Sequence, residues 1–125
     1  MLKWSLKMRS LIFLLSLIVI PATASAYERV FDQYSFVALV TDKTLSNWLY
    51  GVRLNVTPNG SIVGGAWGWD IAGNWTWKDG FFCRSMTWGG EPLEYNCQLV
   101  EVRGANEIRF TSDQGNGDNA SFKLR

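Results

Sequence analysis

Arg84 and Gln98 are the two polar side chains that strand alternation sets among apolar neighbours. An arginine beside an amide in such a setting is chemistry for orienting a ligand, a carboxylate above all. The competing role is structural, since buried polar groups commonly satisfy one another and an arginine near a strand end carries its head out to water. Glu91, Glu94, Asp113 and Asp118 supply the carboxylates a hydrolase would need. Glu91 and Glu94 share one predicted loop, however, and nothing in the sequence fixes a catalytic separation or raises one pKa. Asp113, Asn116, Asp118 and Asn119 offer oxygen ligands in a glycine-rich stretch. Their spacing departs from the D-x-[DN]-x-[DN]-G calcium loop and no glutamate closes it, so the stretch reads as a hairpin loop without a metal. The chain has no histidine. That removes histidine triads, histidine-ligated zinc and imidazole acid–base catalysis, and no cofactor is expected.

Cys83 and Cys97 are the only cysteines among the 125 residues. An even count in a small exported chain reads as one disulfide. Export is expected from the start of the sequence, where Lys3, Lys7 and Arg9 precede the apolar run LIFLLSLIVI (11–20), Pro21 and Ala24-Ser25-Ala26. That layout is a signal peptide over residues 1–26, and a run of ten residues falls short of the roughly twenty that cross a bilayer. The remaining 99 residues, 27–125, form a single small domain. Three of the twelve basic residues lie in the leader, so nine Lys and Arg then face eleven Asp and Glu, a formal charge of −2. Such a chain carries no basic stripe for nucleic acid and no basic amphipathic segment for a membrane after cleavage. The expected location is the periplasm or the medium.

The elements that position these residues follow from periodicity. Phe36, Leu39 and Val40 stand at helical spacing in DQYSFVALVTD (32–42), with Asp32 or Ser35 as cap. From Val52 onward the period is two, with turns at Pro58-Asn59-Gly60, Asp79-Gly80 and Gly104-Ala105-Asn106. Strands are predicted at 52–57, 61–67, 70–78, 81–88, 95–103, 107–112 and 120–125, with 43–51 a connector or an eighth strand. GGEPLE (89–94) reads as a loop. The expected fold is therefore all-β, a small antiparallel meander or barrel of seven to eight strands with a short N-terminal helix and one disulfide. A two-residue turn at Asp79-Gly80 pairs Trp77 with Phe82 and Trp75 with Arg84, which allows a cation–π contact between the last two. It also sets Trp75, Trp77, Phe82, Met86 and Trp88 inward, with Cys83 and Cys97 together outside. The tryptophans are then core rather than a sugar platform, with Gly64 and Gly73 leaving room for their rings.

Gly73-Asn-Trp75-Thr-Trp77, Gly80-Phe-Phe-Cys83-Arg84, Asn96-Cys97-Gln98, Arg109-Phe110-Thr-Ser-Asp113 and the terminal Phe122-Lys-Leu-Arg125 together resemble a group of short exported bacterial proteins that go under the name dihydrodipicolinate reductase. The resemblance spans most of residues 27–125 and implies export from a bacterial cell. The reaction of that name calls for a glycine-rich nucleotide fingerprint and a histidine- and lysine-rich catalytic segment. VGGAWGWD (63–70) contains no G-x-G-x-x-G and opens no helix, so no catalytic residue is carried over. The expected function is a non-catalytic binding module for a small apolar ligand or a protein partner, with Arg84, Gln98, Trp88 and Trp75 around the ligand. Inhibition of a secreted enzyme and carboxylate-based hydrolysis are the alternatives.

Overall fold

A computed structural model of the protein describes residues 16–20 and 26–125. Most of the expected signal peptide lies outside the described residues. Eight strands form a closed up-and-down antiparallel barrel, β2 (Leu45–Asn47), β3 (Val52–Val56), β4 (Ser61–Ala66), β5 (Trp69–Lys78), β6 (Phe81–Trp88), β7 (Glu91–Arg103), β8 (Glu107–Thr111) and β9 (Asn119–Leu124). Each pairs with its sequence neighbours, and β9 returns to β2 through Leu45 opposite Leu124. A two-residue strand, β1 (Glu28–Arg29), is added along β7. The helix α1 (Gln33–Val40) stands between β1 and β2, with Asp32 capping its first turn through the Ser35 amide at 2.8 Å.

Alternation decides which residues meet inside. Leu54 and Val56, Ile62 and Ala66, Ile71 and Trp75, Val100, Ile108 and Phe110, and Leu124 are buried, while their sequence neighbours on the strands, the buried Thr111 apart, face outward or lie at intermediate depth. Asp79 (φ 52) and Gly80 (φ 84) form the two-residue turn, and the register places Trp77 opposite Phe82 and Trp75 opposite Arg84 as expected. Cys83 faces Cys97 across β6 and β7, and the two are joined by a disulfide.

The barrel has two unlike ends. At one, α1 drops Phe36 between the strands, fully buried, with its ring 5.2 Å from Trp75, 5.1 Å from Trp77 and 5.1 Å from Phe82. Such aromatic contacts each add to the burial of ring area, which is how so small a domain obtains a sufficient core. The indole N–H groups are satisfied, Trp75 by the Thr57 carbonyl at 2.9 Å and Trp77 by that of Phe31 at 3.3 Å. At the same end Tyr27 lies across the outer surface, its ring under the Arg103 and Arg109 guanidiniums and its hydroxyl on Glu107 at 2.8 Å.

Three expectations are corrected. Gly89 and Gly90, both in the left-handed region (φ 57 and 84), make a two-residue turn, so GGEPLE is mostly strand and β7 begins at Glu91. Gly64 and Gly73 do not make room for rings. A Cβ on Gly64 would lie 2.0 Å from the Arg53 carbonyl oxygen, and one on Gly73 2.2 Å from that of Ser85, so both permit close approach of neighbouring backbones. Arg84 makes no cation–π contact with Trp75; its guanidinium turns instead toward β7.

Candidate functional site

The interior is not filled. Between the Phe36 layer and the open end lies a cavity of about 290 Å³. Its walls are mostly apolar, with Ile62, Phe82, Met86 and Phe122 among them, and its polar groups are Arg84, Gln98, Ser112, Asp118 and Asn119. Asp118 and Asn119 are exposed, so the cavity reaches the surface beside the start of β9. An eight-stranded barrel is just wide enough either to be packed by side chains or to hold one small ligand. Here the large inward rings of β5 go to the α1 end, and the other half is left with space.

Arg84 is placed by two features of the strands. Parity turns it inward between Phe82 and Met86, and a bulge between β6 and β7 fixes its partner. Arg84 pairs with Asn96 but Met86 with Leu93, so Glu94 and Tyr95 together oppose Ser85. Bulges re-aim backbone groups in this way, commonly beside functional sites. The Glu94 carbonyl accepts a hydrogen bond from Arg84 Nη1, while Arg84 Nε is buried without a partner. Burial lowers the Arg84 guanidinium below its ordinary pKa, because removal from water penalises the charged form. None of the ion pairs among the described residues involves it; those join Arg103 to Glu107, Arg109 to Glu101 and Lys123 to Glu107. Gln98, opposite Phe82, points its amide at the Ser112 hydroxyl, 3.4 Å away.

Of the four residues expected around a ligand, Arg84 and Gln98 line the cavity and Trp75 and Trp88 do not. Trp75 belongs to the Phe36 layer, and Trp88 sits at the open rim with its N–H on the Ala66 carbonyl at 3.0 Å. Of the four carboxylates a hydrolase would use, only Asp118 reaches the cavity wall. Asp113 is tied outside, accepting from the Asn96 amide at 2.8 Å. Among the described residues no group of three or more His, Cys, Asp or Glu is arranged to hold a metal ion.

Sequence reasoning missed Ser112 and the rim. Ser112 opens a turn held left-handed at Asp113 (φ 54) and Gln114 (φ 56), a conformation no residue type in DQGNGDN announces. At the rim, Trp48 is 89% exposed, Trp67 63% and Trp69 62%, with Tyr50 also exposed. Trp67 stands in the turn after β4 with its ring against Gly51, and Trp69 lies over Gly89. Their exposure follows from ending strands at the open end, where the inward face has nothing beyond it. A shallow groove between Trp69, Trp88 and Glu91 lies on this rim. No helix among the described residues is long and apolar enough to cross a membrane. Comparison of the chain with protein-family models, curated proteins and solved structures finds no match.

Proposed function

We propose that the protein is a non-catalytic, exported binding module whose barrel takes up one small apolar ligand, with the ligand's polar end at Arg84 and Gln98. The observation that carries this reading is the cavity of about 290 Å³, apolar on most of its wall and polar at one side. Ligand sites are commonly concave, mostly apolar and furnished with a few convergent polar groups, and this one lies at the small end of their size range. Export to the periplasm or medium is supported by the leader pattern, by the Cys83–Cys97 bridge, and by Tyr27, which is held by the barrel and directly follows the expected cleavage point. The exposed tryptophans of the rim support a protein partner as the second reading, since aromatic side chains are enriched at interfaces.

Native mass spectrometry of the protein purified without detergent from its own compartment tests the first reading. The expected spectrum contains a species heavier than the polypeptide that loses the excess mass on denaturation. A bare polypeptide that also takes up no apolar probe would remove the reading and leave the rim as the functional surface.

A further inference from the structure

We propose that the ligand of the barrel is a carboxylate, held two-pronged by the Nε–Nη2 edge of Arg84. This inference rests on the reading of the cavity as a ligand site and names the chemistry of that ligand.

The geometry of Arg84 carries the inference. A guanidinium has five N–H donors in a rigid plane, and one of its edges, Nε with Nη2, matches the two oxygens of a carboxylate. The bulge at Glu94 uses the opposite side of this plane. With Nη1 on the Glu94 carbonyl, rotation of the head is restrained and the Nε–Nη2 edge keeps one orientation. Nε is buried yet unpaired, and Nη2 makes no hydrogen bond among the described residues. Asp118 lines the same cavity, but it forms no ion pair with Arg84. A half-buried cation without an anion is costly, and a bound carboxylate would restore both the charge balance and the missing hydrogen bond. An alcohol or carbonyl ligand would satisfy one donor and leave the charge unbalanced. Gln98, whose amide reaches toward Ser112, lies beside Arg84 on the same wall and supplies a further donor.

Octanoic acid, 1-octanol and methyl octanoate share an apolar chain that suits the cavity and differ in the head. Titration of the protein with each, followed by isothermal calorimetry at neutral pH, separates the two claims. The acid is expected to bind about ten- to a hundredfold more tightly than the alcohol or the ester, the range for a hydrogen bond to a charged group. R84Q is expected to erase the difference between acid and alcohol. Equal affinities for all three compounds in the unmodified protein would overturn the carboxylate while leaving the cavity as an apolar site. Binding of none of them would overturn the cavity reading and the carboxylate together. Should R84Q fail to fold, the comparison of the three compounds on the unmodified protein decides by itself.

Discussion

Among individual residues, Glu107 shows how charge is used to hold the surface, in contrast to Arg84 inside. Its carboxylate accepts from Arg103 Nη2 at 2.8 Å and from the Tyr27 hydroxyl at 2.8 Å. The Arg103 hydrogen bond, followed by that of Tyr27, holds the Glu107 carboxyl below its ordinary value of 4.5. A carboxyl lowered in the folded state stabilises the fold above its ordinary pKa, and that contribution is lost as pH falls through the lowered one. Urea denaturation at a series of pH values should therefore show stability declining on the acid side of 4.5, and E107Q should flatten that decline. An unchanged acid limb in E107Q would show that the lowered Glu107 carboxyl does not contribute to stability. Arg84 was legible in part. Period-two alternation turned it inward, but its partner is a backbone carbonyl exposed by a bulge, and no side-chain pattern in EPLEYN records where the extra residue falls.

Among elements, α1 has eight residues, too few to be helical alone, so tertiary packing must hold it. Phe36 provides that packing, touching Trp75, Trp77, Phe82 and Phe110. F36A should cost about 3–5 kcal/mol, the range for truncating a buried phenylalanine, measured as a shift in the urea midpoint. A loss below about 1 kcal/mol would mean that the helix rests on the barrel rather than closing it. The helix could be read from the spacing of Phe36, Leu39 and Val40, and the β3–β4 and β5–β6 hairpins from Pro58-Asn59-Gly60 and Asp79-Gly80, whose residue types favour a turn. The start of β7 could not, because Pro92 and the glycines before it resemble a loop. Pro92 is tolerated opposite Thr87, near the open end of the pairing.

At the scale of the molecule, closure of the sheet depends on β2, only three residues long, pairing with both β3 and β9. So short a strand has too few residues to display alternation, which is why a closed barrel and an open meander were indistinguishable in the sequence. Closure matters because it gives the molecule one plugged end and one open end. The plugged end holds the aromatic layer around Phe36. The open end has exposed Trp48, Trp67 and Trp69 together with Asp70, Glu91 and Asp118. The cavity lies between the ends, so the proposed function depends on the space itself more than on any single side chain. Ala120 is a small residue on the wall of that space, and an indole in its place would occupy it. The most direct measurement is fluorescence titration with the uncharged apolar dye N-phenyl-1-naphthylamine, comparing the unmodified protein with A120W. The expected result is saturable uptake of one dye per barrel, lost in A120W while far-ultraviolet circular dichroism shows the fold retained. Undiminished binding in a folded A120W would place the dye at the tryptophan rim and contradict the interior site.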